Sequence, residues 1–125
     1  MFKYFGMNIE EFRDYCLSKN QVTESFPFDE ETLVFKVAGK MFALVGLENH
    51  PATVSLKCDP EKALELREEY DEITPAYHMN KMHWNSVIID DNLSHKLISE
   101  LIDDSYNLVV KGLTKKQQKD LGFEN

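Results

Sequence analysis

The sequence predicts a two-layer α+β domain: a mostly antiparallel sheet with helices packed on one face. Three observations predict it. Two apolar runs meet at Ala38-Gly39, period-two alternation marks 52–57 ahead of a clear late strand at 84–89, and helical periodicity occupies both ends of the chain. At 125 residues the chain has the size of one domain, so 1–125 is read as a single unit. A hydrophobic content of 42%, with 11% aromatic residues, supplies a core that a disordered chain lacks.

The elements follow in order. Asn8 with Glu11 three residues later forms a capping-box pattern, and Ile9, Phe12, Cys16 and Leu17 recur at helical spacing, giving a first helix over 9–19. Pro27 disfavours helix at Phe26, so 22–28 reads as an extended or turning connection carrying two buried aromatics, Phe26 and Phe28. The runs 33–37 and 40–47 flank Ala38-Gly39 as a hairpin. In 52–57, Ala52, Val54 and Leu56 alternate with Thr53, Ser55 and Lys57, which makes a strand with one buried face.

Asp59-Pro60 is a strong helix start, since Asp caps and Pro at the first position lacks only an N–H the helix does not use. The segment 72–82 is irregular, holds Pro75, and has room for a short strand before the clearer strand 84–89. Leu93, Leu97, Ile98, Leu101 and Ile102 share a helical face. A further helical stretch runs over 105–110, and Thr114 caps a short basic helix after Gly112. The core is expected at Phe26, Phe28, Phe35, Phe42, Leu44, Val54, Leu56, Val87, Ile89, Leu97 and Leu101, with Trp84 largely buried and its indole N–H bonded.

Composition limits the function classes. Twenty-two acidic against 14 basic side chains leave a formal charge of −8, which repels phosphate backbones, so DNA contact requires a local basic patch. The residues between 59 and 72 hold seven acids against Lys62 and Arg67 and read as the solvated face of the second helix. By contrast, 105–119 holds Lys111, Lys115, Lys116 and Lys119 with no acid. The plain reading is cations favoured at a helix C-terminus, and the functional one is a phosphate-contacting tail. Cys16 and Cys58 form no CxxC pair and read as reduced thiols, the cytosolic habit. The first six residues lack the apolar core of a signal peptide, and the apolar run 41–47 is far too short for a membrane span. The expected address is cytoplasmic, with no membrane partner.

The densest polar–aromatic stretch is 75–84, Pro-Ala-Tyr-His-Met-Asn-Lys-Met-His-Trp. Loops held by a rigid scaffold are where binding residues concentrate. A metal site would need His78 and His83 to converge with a third ligand such as His50, Asp90 or Cys58. Their spacing of five suits neither a helical pair nor one face of a strand, so no metal is expected. Either imidazole titrates near neutral pH and is able to do acid–base work. Yet no nucleophile motif, Gly-rich phosphate loop or paired-carboxylate pattern accompanies them, so no catalytic residue and no cofactor is assigned.

Together, several segments resemble the MmcQ/YjbR family. They are Glu24-Ser25-Phe26-Pro27-Phe28, Phe35-Lys36-Val37-Ala38-Gly39-Lys40-Met41-Phe42-Ala43 and Val54-Ser55-Leu56-Lys57-Cys58-Asp59-Pro60. His78-Met79-Asn80-Lys81-Met82-His83-Trp84, Ser105-Tyr106-Asn107-Leu108-Val109 and Leu113-Thr114-Lys115-Lys116 complete the set, which spans about residues 8–121 in order. The resemblance implies a compact YjbR-like fold, similar to the double-wing domain of a phage transcription factor and to secretion-chaperone-like sheets. It also implies a DNA-binding label that rests on that fold similarity.

Three functions follow. The first is a DNA-binding or transcription-associated module, acting through a patch drawn from Lys57, Lys81, Lys111, Lys115, Lys116 and Lys119. The second is a protein- or small-ligand-binding adaptor using the loop 75–84, with Tyr77, His78, Asn80, Lys81, His83 and Trp84. The third is an enzyme using His78 or His83. Because the resemblance concentrates polar residues in these motifs, Lys57, His78, Asn80, Lys81 and His83 are expected to lie near Ser105 and Tyr106 in one site.

Overall fold

A computed structural model describes residues 6–123; residues 1–5, most of the segment read above for a leader, lie outside the described residues. In chain order the elements are α1 (Ile9–Leu17), β1 (Val22–Ser25), β2 (Thr32–Val37), β3 (Lys40–Gly46), β4 (Ala52–Lys57) and α2 (Pro60–Glu69). β5 (Ile73–Pro75), β6 (Trp84–Ile89), α3 (His95–Lys111) and α4 (Lys115–Asp120) follow. The strands form one six-stranded sheet in the order β1-β2-β3-β4-β6-β5, and every neighbouring pair is antiparallel.

Local chemistry accounts for most boundaries. Asn8 and Glu11 close a capping box on α1, Asp59 accepts from Lys62 N–H ahead of Pro60 on α2, and Thr114 and Gln117 close a second box on α4. The β2–β3 hairpin turns through Ala38 at φ +52° and Gly39 at φ +75°, the left-handed pair that matches strand twist. Glycine adopts this conformation freely and alanine does so at a cost.

Four sequence expectations are corrected. The segment after Gln21 is not a mere connection: Val22–Ser25 pairs with β2 as an edge strand. Phe26 and Phe28 are not core; they are 47% and 63% exposed, because β1 ends at Ser25 and the chain leaves the sheet before either ring can turn inward. The two helical stretches near the C-terminus are one 17-residue helix, within which half-buried Asp103 and Asp104 pair with Lys19 and Lys62. Leu97 is only half-buried at the margin of the core.

The main core lies between the helices and one face of the sheet. Leu33, Phe35 and Val37 of β2, Val54 and Leu56 of β4, and Val87 and Ile89 of β6 meet Phe12, Ile98, Leu101 and Ile102 there. A chain of aromatic edges runs through it, with centroids 6.2 Å apart for Phe12–Phe35, 6.5 Å for Phe35–Phe42 and 5.4 Å for Phe42–Tyr106. β3 breaks the alternation. Its register shifts opposite Phe35 and Lys36, so that Phe42 and Ala43 both join the helix-side core. This is a bulge, in which one strand carries an extra residue and bends. Phe42 and Leu44 are both buried as expected, but on opposite faces of the sheet.

Candidate functional site

The helix-free face of the sheet is only partly covered. Val34, Leu44, Ala76 and Trp84 form a small second cluster there, with Met41 and Met79 packed against it. The loop 76–83 supplies the cover and is built to hold one shape. Ala76 N–H bonds to Trp84 C=O, the N–H groups of His83 and Trp84 reach Asn80 C=O, and Asn80 Oδ1 accepts from Met82 N–H at 2.9 Å. From the next layer, Arg67 of α2 donates Nε to Asn85 Oδ1 at 2.7 Å and Nη2 to Lys81 C=O. One guanidinium thus ties α2, β6 and the loop together, using the fork geometry that lysine lacks.

Beside this cover the sheet face opens into a cleft of about 520 Å³. Thr53 and Ser55 of β4 and Ser86 of β6 lie on its floor with Met41 and Leu44, and none of the three hydroxyls has a protein partner among the described residues. Tyr77, His78 and Met79 form one wall, and Phe28, Asp29 and Asn49 form another. Tyr77 is 68% exposed, and Lys81 Nζ stands 5.1 Å from its ring centroid. Asp29 starts β2 by accepting from Glu31 N–H at 2.8 Å and Thr32 N–H at 2.7 Å, and these bonds hold its carboxyl below the usual range. Next to this wall the Glu48 carboxyl, through a shared hydrogen bond and then its charge, raises that of Glu31.

The residues expected to form one site are divided between two faces of the sheet. Tyr77 and His78 line the cleft, Lys81 sits on the Tyr77 ring, and Trp84 is buried beneath the loop. Asn80 shapes the loop, and His83 is half-buried at its end, with its carbonyl accepting from Cys58 N–H. The Trp84 indole N–H makes no hydrogen bond to protein among the described residues. Ser105 and Tyr106 are on the helix side while Tyr77 and His78 line the other face, and of the residues expected beside them Lys57 is the one that bonds to Ser105 among the described residues. Ser105 is fully buried, and Tyr106 donates its hydroxyl to Asn20 C=O at 2.6 Å. Both are structural residues. Lys57 donates its backbone N–H to Ser105, and the residue lines a groove with Lys40 beside the end of α3. Lys115 and Lys116 are exposed on α4.

Sequence reading missed Phe28, Asp29, Thr53, Ser55, Ser86 and Arg67. The alternation in 52–57 did contain a signal, because it puts Thr53 and Ser55 on the face opposite the core. Nothing local marks Arg67, whose partners are 14 and 18 residues away. Cys16 and Cys58 are buried free thiols, and burial pushes both up. Among the described residues no group of three or more His, Cys, Asp or Glu is placed to hold a metal ion, and no helix is long and apolar enough to cross a membrane.

Fold and cleft define a small antiparallel-sheet domain of α+β class with one helix-covered face and one face left open as a cleft. The YjbR family model matches residues 17–108, and the chain belongs to the YjbR family. It is 46% identical over 94 residues to the uncharacterised Escherichia coli O157:H7 protein YbdF, covering 75% of this chain and 77% of the relative. It is 38% identical over 114 residues to the uncharacterised protein YjbR of Escherichia coli K12, covering 90% and 96%. Among solved structures, that of a Deinococcus radiodurans protein with a DUF419 domain superposes with a TM-score of 0.90 at 39% identity, covering 99% of this chain and 94% of that one. A Pseudomonas syringae protein follows at a TM-score of 0.69 and 32% identity, covering 82% and 98%.

Proposed function

We propose that this protein is a binding module whose ligand is a small molecule held in the sheet-face cleft. The observation that carries the reading is the cleft itself: about 520 Å³, with hydroxyls on its floor that have no protein partner among the described residues and exposed Phe28 and Tyr77 on its walls. Ligand pockets commonly measure about 300–1,000 Å³ and combine apolar walls with a few convergent polar groups. The Arg67 tie supports it further, because a site whose wall is already ordered loses less entropy on binding. Amide-shift mapping of the labelled protein against a panel of small aromatic and polar compounds tests the reading. Binders are expected to move residues 28–32, 41–46, 53–55 and 76–79, and Tyr77→Ser and Phe28→Ser to weaken them without unfolding the chain. Binders that map only elsewhere on the surface would overturn it.

A second reading, DNA contact, draws on one observation. Lys40 and Lys57 share a groove at the end of α3, Lys111 opens onto the neighbouring groove, and α4 adds Lys115, Lys116 and Lys119. It works against the net charge of −8 and against Asp59 and Asp104, which line the Lys111 groove. Titration of labelled duplex at two salt concentrations, with Lys115→Glu/Lys116→Glu as control, tests it. Binding should fall with a log–log slope of about −0.9 per phosphate engaged. Identical curves for wild type and the charge-reversed variant would remove this reading.

A further inference from the structure

The cleft has a chemical preference as well as a shape. We propose that it selects organic cations: an ammonium head carried on an aromatic or apolar body. This rests on the reading of the cleft as the ligand site and adds the sign of the ligand's charge.

Three observations carry it. The described residues lining the cleft include no Lys or Arg, and their one carboxylate is Asp29. Asp29 stays ionised because two backbone N–H groups donate to its Oδ1 and the Thr32 hydroxyl donates to its Oδ2 at 3.2 Å, and this exposed carboxylate keeps acceptor capacity on Oδ2. The chain beside it adds exposed Glu30, Glu31 and Glu48, so the rim repels anions. His78 is the lining group that opposes this preference when it is protonated.

The Tyr77 ring supplies the second observation. The Lys81 ammonium stands 5.1 Å from its centroid, so a ligand cation meets this ring by displacing Lys81 into solvent or by using the other face. Third, Phe28 and Tyr77 are both more than half exposed, and Met41 and Met79 lie deeper. These rings and thioethers provide the apolar surface that the body of an aryl-alkyl amine would cover. A carboxylate and two exposed aromatic rings, with no Lys or Arg in the lining and Lys81 the ammonium to be displaced from Tyr77, fit a cation and disfavour a carboxylate or phosphate ligand.

The test uses three probes of nearly equal shape, 2-phenylethylammonium, 2-phenylethanol and phenylacetate, titrated at neutral pH and low salt with amide shifts as readout. The ammonium is expected to bind about three- to tenfold more tightly than the alcohol, and phenylacetate most weakly. Asp29→Asn keeps an oxygen for the Glu31 and Thr32 N–H groups, and Tyr77→Leu alters an exposed side chain, so both variants should fold. Each should narrow the gap between ammonium and alcohol, by weakening the ammonium more than the alcohol. Equal affinities for ammonium and alcohol, mapped to the cleft, would overturn the charge preference and leave the small-molecule reading standing. Tightest binding by phenylacetate would do the same. If none of the three moves the cleft residues, the cation proposal falls, and the wider panel decides the small-molecule reading.

Discussion

Ser105 donates its hydroxyl proton to the carbonyl of Phe42, 2.5 Å away and 63 residues earlier in the chain. The same oxygen accepts from Lys57 N–H at 2.8 Å. The bulge in β3 explains the need for it. Phe42 is the extra residue, the β3–β4 ladder ends at Ala43 and Leu56, and the Ser105 hydroxyl bridges the next two backbone groups, Phe42 C=O and Lys57 N–H. One buried hydroxyl on α3 satisfies two backbone groups that the irregular strand strands in the core.

Ser105→Ala should therefore leave two buried backbone groups unpaired and destabilise the fold by about 1–3 kcal/mol, measured by chemical denaturation. A change within about 0.5 kcal/mol would mean the bulge finds other partners.

Arg67→Leu should free the loop from its tie. Asn85 is 2% exposed and its Nδ2 already lacks a partner among the described residues, so losing the Arg67 bond leaves the whole amide unpaired. Hydrogen exchange at residues 80–85 is expected to speed up far more than in α3. Uniform acceleration across the domain would show that Arg67 acts on the fold and not on the loop.

Phenylalanines in one chain should behave oppositely. Phe35→Ala removes a fully buried ring touching Phe12 and Phe42 and should cost about 3–5 kcal/mol. Phe28→Ala removes a ring that is 63% exposed and should stay within about 0.5 kcal/mol. Comparable losses in the two thermal melts would contradict the placement of Phe28.

Glu31 gives a pH dependence with a definite sign. Its folded pKa is raised, first by the hydrogen bond to Glu48 and then by that residue's charge. A raised carboxyl favours the folded state below its unfolded pKa of about 4.3, and that contribution is lost as pH rises through the folded value. Glu48→Gln should therefore stabilise the protein at neutral pH and make little difference below about pH 4. Melting both proteins from pH 3 to 8 checks it; a gap that widens toward acid would reverse the assignment.

The elements were legible because their signals are local. Asp59-Pro60, the Asn8–Glu11 box, Thr114 and the Ala38-Gly39 turn act on backbone groups within four residues, and each stands where the sequence places it. The strand phases of 52–57 and 84–89 also held, since alternation needs only one buried face. Phe26 and Phe28 misled because apolar character does not say whether a core is within reach.

The cleft was legible by halves. The loop 75–84 announced itself by composition, and Tyr77 and His78 do line the cleft. Its other wall comes from residues near 28 and 49, and its floor from β4 and β6, which no local pattern joins. Ser105 and Tyr106 were drawn into the expected site because they stand in a polar–aromatic motif. The structure turns both inward, where a hydroxyl serves the bulge and a ring fills the core.

Fold class, caps, hairpin and family were thus written in stretches of the chain short enough for neighbouring residues to settle them. Which sheet face stays open, and which side chains meet on it, depended on the β3 bulge and on the reach of Arg67 across 14 residues to Lys81. A bulge reverses the facing of every residue beyond it on its strand, and a long side chain chooses its partner only after the backbone has brought that partner near. Both are consequences of packing, and they appear only when the sheet and its helices are assembled.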